Sequence, residues 1–115
     1  MTGNRYNYKK AKELMSDILD KPKMLMKDIR IDGTSVGNVS AVALDRGQLV
    51  MSAIVFNGYS NGDHKLEPNG ICIVKETDPD NTPDENDLEQ VINDCLGDFN
   101  KLTHGEFLKL DITLV

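Results

Sequence analysis

The chain reads as one α+β domain: a mostly antiparallel sheet of about five strands with two helices packed on one face, in the order α-β-β-β-β-α-β. Three observations predict this. Residues 29–74 hold apolar runs of strand length, separated by Gly, Asn and Asp turns. Two stretches with apolar residues at helical spacing bracket those runs. The length of 115 residues suits a single domain over 1–115, with no room for a second.

The first helix is expected over residues 5–20, where Tyr8, Ala11, Leu14, Met15, Ile18 and Leu19 recur on one face. Pro22 ends it. Residues 23–27 are open between a turn of helix and a lead-in strand. Ile29 and Ile31 then alternate with Asp28 and Arg30, and Asp32-Gly33 predicts a type I′ hairpin turn. Val36 to Leu44 and Leu49 to Phe56 read as two strands joined at Asp45-Arg46-Gly47. The second is nearly all apolar, which predicts a central strand buried on both sides. Residues 57–70 read as a long Gly/Asn-rich loop, and Ile71 to Val74 as a short fourth strand.

Residues 76–83 form an acidic linker containing proline. Thr82-Pro83-Asp84-Glu85 matches a capping box with Pro at the first helical position. Leu88, Val91, Ile92, Cys95, Leu96, Phe99 and Leu102 mark one apolar stripe, which Gly105 stops. Leu108, Leu110, Ile112 and Leu114 alternate with polar residues, predicting a half-buried strand to the end of the chain.

A domain this size can bury roughly two-thirds of its unfolded surface, so neither disulfides nor metals are required. With no Trp and few aromatics, the expected core is Ile, Leu, Val and Met. Cys72 and Cys95 sit inside apolar patterns and are expected as buried free thiols. Residues 1–13 show no secretory signal pattern, and no apolar run approaches the ~18 residues that span a membrane. The expected location is cytoplasmic. Without a secretion signal, the Asn38-Val39-Ser40 glycosylation pattern carries no weight.

The net charge is −6, and its distribution is uneven. Residues 1–30 carry eight Lys/Arg against four Asp/Glu, whereas residues 76–98 carry nine Asp/Glu and no Lys or Arg. Such a balance argues against a large basic surface for nucleic acid and favours cations or basic partners. Asp84, Glu85 and Asp87 suit the positive end of a helix dipole. Glu89, Asp94 and Asp98 continue along the polar face with no neutralising Lys or Arg within the run, and like charges at i,i+4 are mildly destabilising.

Other patterns fail on context. Gly58-Tyr59-Ser60-Asn61-Gly62 matches a nucleophile elbow, but the residues after it do not read as a helix. Asp78, Asp80, Thr82, Asp84 and Glu89 occupy calcium-loop positions, but Pro83 stands where the loop needs Gly. His64 and His104 have no zinc-ligand spacing, and no Walker loop is present.

The expected function is therefore a noncatalytic protein-binding domain of the inhibitor, immunity or antagonist type. Phage-encoded antagonists of nucleic-acid enzymes are of this kind. Asp84, Asp87, Glu89, Asp94 and Asp98 would meet a basic protein partner, with Tyr59 and His64 of the 57–70 loop as a second contact. No catalytic residue, metal, cofactor, direct nucleic-acid contact or membrane contact is expected. One rival is a self-assembling subunit whose Phe107–Val115 strand, or a sheet edge, pairs in a homodimer. The other is a small enzyme or ligand-binding domain using Ser60, Asp63 and His64.

Overall fold

The computed structural model describes residues 3–6, 24–44, 49–76 and 85–115. Their elements are β1 (Gly3–Tyr6), β2 (Met24–Ile31), β3 (Thr34–Leu44), β4 (Leu49–Phe56), β5 (Tyr59–Ser60), β6 (Lys65–Leu66), β7 (Asn69–Glu76), α1 (Glu85–Leu102), a 3-10 turn (Phe107–Lys109) and β8 (Ile112–Leu114). The main sheet has six strands in the order β1-β7-β4-β3-β2-β8, every neighbouring pair antiparallel. The α+β class and the antiparallel sheet agree with the sequence reading.

The expected pair of helices is not met among the described residues, which hold one α-helix and a 3-10 turn. A helix cannot begin at residue 5, because Arg5 and Tyr6 lie in β1 opposite Ile73 and Cys72. Residues 7–20 of that expected helix lie outside the described residues, as do the Asp45-Arg46-Gly47 turn and Thr82, Pro83 and Asp84 of the capping box.

β4 shows why the sheet has two different faces. Val50, Ile54 and Phe56 point to one side and join Val39, Ala41, Ile71 and Ile73 beneath α1. Met51 and Ala53 point to the other and join Val42 and Cys72. Both sides of β4 are therefore buried, as its continuous apolar sequence requires. Between β2 and β3, Asp32 and Gly33 take φ values of 53° and 78°, as a type I′ turn demands.

The core departs from an aliphatic expectation. All three phenylalanines of the chain, Phe56, Phe99 and Phe107, are fully buried and meet in one cluster. Their ring centroids lie 4.8–5.7 Å apart in tilted and edge-on arrangements. Phe107 also explains why the expected C-terminal strand is mostly absent. It and Leu110 turn inward at a spacing of three, the period of a 3-10 turn, while Leu108 is 57% exposed. Only Ile112–Leu114 form a strand, pairing with Ile29–Ile31.

α1 ends at Leu102, the last residue of the apolar stripe. Gly105 N–H bonds to Asn100 O at 2.8 Å and His104 N–H to Lys101 O at 3.1 Å. These are the two bonds of a Schellman closure, with His104 itself in the left-handed position at φ 57°.

Cys72 and Cys95 are both buried thiols, with no disulfide joining them. Cys95 packs against β4, its Sγ 3.7 Å from Ser52 O. Burial pushes its thiol pKa from 9.0 up to about 12. Neither thiol is expected to react with iodoacetamide in the folded protein at mildly alkaline pH, whereas both react in urea. Rapid labelling of native Cys95 would contradict its packing. Because the unfolded thiol ionises near 9.0 while the folded one keeps its proton to about 12, its contribution to stability is intact below 9.0 and falls as pH rises through that window.

Candidate functional site

The expected site is centred on α1, whose 18 residues carry five carboxylates and one lysine, Lys101. At about 100° per residue, the buried stripe centres on Leu88, Ile92, Cys95 and Phe99. Glu85 and Glu89 then fall on one flank of that stripe. Asp87, Asp94 and Asp98 fall on the other. The outward ridge between them carries Asn86, Gln90, Asn93 and Gly97, with Lys101 at its C-terminal end beside the second flank.

Two ion pairs confirm this rotation. Lys27 of β2 lies 3.3 Å from Glu89, and Lys75 of β7 pairs with Asp94. Both lysines rise from the helix-facing side of the sheet, opposite Val39 and Val50 respectively. β2 and β7 lie on opposite sides of the β3–β4 pair, so the two carboxylates must leave α1 on opposite flanks. Gln90 Nε2 also donates to Asp94 Oδ1 at 3.2 Å. Pairs this exposed contribute about 0–1 kcal/mol each, so they tune the helix orientation more than they stabilise the fold.

The five carboxylates therefore do not share one face. Glu89 and Asp94 are each countered by a lysine that is distant in sequence. Asp84 lies outside the described residues.

Tyr59 and His64 come together elsewhere. The loop expected over 57–70 contains a small hairpin, β5–β6, and its last two residues already belong to β7. Asn61 closes the hairpin tip: its Oδ1 accepts from Asp63 N–H and His64 N–H, both at 3.0 Å. Its Nδ2 donates to the Tyr59 hydroxyl at 2.8 Å, and that hydroxyl donates to Asp32 at 3.2 Å. His64 Nδ1 lies 3.9 Å from Glu106, just beyond the C-terminal end of α1. Asp87, in the first turn of α1, stands roughly 20 Å of helix away from that end. A hairpin rather than a helix follows Ser60, so the nucleophile-elbow pattern lacks its geometry.

Asp28 was not singled out by sequence. Its carboxylate accepts from the Arg30 guanidinium at 2.7 Å and the Ser35 hydroxyl at 2.5 Å, and these bonds hold its pKa below the usual 3.8. Among the described residues, no group of three His, Cys, Asp or Glu is placed to hold a metal ion, and no helix is long and apolar enough to cross a membrane. Comparison with protein-family models, curated proteins and solved structures finds no match to the chain.

Proposed function

We propose that this domain is a noncatalytic protein-binding module that engages a basic partner through the β7-side flank of α1. One observation carries the reading: Asp87, Asp94 and Asp98 share that flank of one helix, where Lys75 of β7 pairs with Asp94. Seven residues separate the first two and four the last two, so the charges line up along two helical turns and then one. A row of like charge on a rigid helix steers a basic surface towards it and speeds association.

The opposite flank provides the control. A partner is recovered from native extract, purified, and its association rate measured at low and high salt. Asp87→Asn with Asp98→Asn is expected to slow association severalfold and flatten its salt dependence. Glu85→Gln with Glu89→Gln is expected to leave both unchanged. Equal losses from the two flanks, or none from either, would reject the assignment.

Self-assembly through a sheet edge keeps one supporting observation. Among the described strands β8 has no neighbour on its outer side, and Val115 beside it is 63% exposed. A concentration-independent monomer in light scattering counts against that reading.

A further inference from the structure

Three Asn-Gly pairs, Asn57-Gly58, Asn61-Gly62 and Asn69-Gly70, follow one another from the end of β4 to the first two residues of β7. Asn-Gly is the dipeptide in which a main-chain nitrogen closes most readily on the preceding side-chain amide, because glycine places no side chain in the way. The three share the same local chemistry, so the fold decides among them.

Two are held. Asn61 uses both ends of its amide, accepting from Asp63 and His64 and donating to Tyr59. Turning its Cγ towards Gly62 N breaks all three bonds. Asn69 lies in β7 opposite Phe56, and its Oδ1 accepts from Gly70 N–H at 2.8 Å. Gly70 is itself buried in the ladder opposite Val55, so its nitrogen cannot leave the extended strand without unpairing it.

Asn57 is different. It is exposed, and among the described residues its side chain makes no hydrogen bond. Its own N–H is anchored to Val36 O at 2.7 Å, but the Gly58 N–H that follows donates to no described main-chain group. Gly58 lies outside the sheet with φ 98°.

We propose that Asn57 is a modification site, where the folded protein deamidates to aspartate and isoaspartate. The Gly58 nitrogen attacks Asn57 Cγ. An N–Cγ bond forms, the Cγ–Nδ2 bond breaks, and ammonia leaves with the proton that Gly58 gave up. Water then opens either carbonyl of the cyclic imide. One water is consumed, one ammonia is released, and nothing is oxidised or reduced. Both products add a negative charge. The isoaspartyl product also inserts a carbon into the main chain between Phe56 and Gly58, at the base of the β5–β6 hairpin that the Tyr59–Asp32 bond docks. The resulting isoaspartyl carboxylate is a substrate for an isoaspartyl methyltransferase.

The test incubates folded protein at mildly alkaline pH and follows each Asn-Gly pair by peptide mapping. Isoaspartate is read by methyl transfer from S-adenosylmethionine using an isoaspartyl methyltransferase. The same chain in urea supplies the reference, in which all three pairs react at similar rates. In the folded protein Asn57 is expected to react near its reference rate, with Asn61 and Asn69 slowed at least severalfold. Asn57 slowed as much as the others, or overtaken by either, overturns the proposal. Asn57→Gln with an unchanged melting temperature is expected to abolish early methyl acceptance, and acceptance that persists in this variant overturns it equally.

Discussion

Phe99→Ala is expected to lower stability by about 3–5 kcal/mol, the range for truncating a fully buried aromatic side chain. Phe99 has no exposed surface, and its ring lies 5.7 Å from Phe56 and 4.8 Å from Phe107. Those partners belong to β4 and to the turn after α1, so one ring joins the sheet, the helix and the C-terminal segment. Neither neighbour can collapse into the space, because Phe56 is fixed by the β4 ladder and Phe107 by the bond from its N–H to Thr103 Oγ1. A domain of this size has about 5–15 kcal/mol in total, so the loss takes a large share. At about 4 °C per kcal/mol, the melting temperature falls by more than 10 °C. Phe99→Leu keeps most of the volume and is expected to cost less than half as much. A drop under about 1 kcal/mol for Phe99→Ala, measured by urea unfolding, would mean that the cluster does not hold the two layers together.

That cluster also marks where the sequence stops being legible. β4 follows from its own residues: eight nearly continuous apolar positions bounded by turns, observed with the expected ends. The β2–β3 turn follows from Asp32-Gly33 alone. Phe107 could not be placed that way. Leu108, Leu110, Ile112 and Leu114 alternate well enough for a strand, but burying Phe107 against Phe56 and Phe99 is worth more than continuing it. β1 is missed for the opposite reason. Gly3-Asn4-Arg5-Tyr6 has no apolar pattern, and its place comes from main-chain pairing with Cys72–Lys75. The candidate site is the least legible part. The carboxylates of α1 are plain in sequence, but Lys27 is 62 residues from Glu89 and Lys75 is 19 residues from Asp94. Which carboxylates are countered, and on which flank, depends on a strand order that local patterns do not contain.

Gly37→Ala is the second large effect, expected to destabilise by about 2–4 kcal/mol through overpacking and a lost hydrogen bond. Gly37 is buried in β3 opposite both Ile29 and Phe56. It follows a β-bulge: Ile29 pairs with Gly37 and Arg30 with Ser35, leaving Val36 as the extra residue. The bulge brings β3 so close to β4 that a Cβ on Gly37 would lie 2.1 Å from Val55 O and 3.0 Å from Phe56 Cα. Both are main-chain atoms of the central strand, so no rotamer change relieves the contact. Relief requires the strands to part, which also strains the bond from Asn57 N–H to Val36 O. Gly97→Ala is the matched control. It adds the same methyl group to the middle of α1, where a Cβ meets nothing within 4 Å. There the gain in helix propensity is about 0.5–1 kcal/mol, so the variant should be more stable than the parent. Opposite signs for one substitution, read as shifts in urea midpoint at constant slope, separate close main-chain approach from a general intolerance of alanine. If Gly37→Ala unfolds at the parent's midpoint, the close approach of β3 to β4 at the bulge is wrong, and with it the register that carries Lys27 to Glu89.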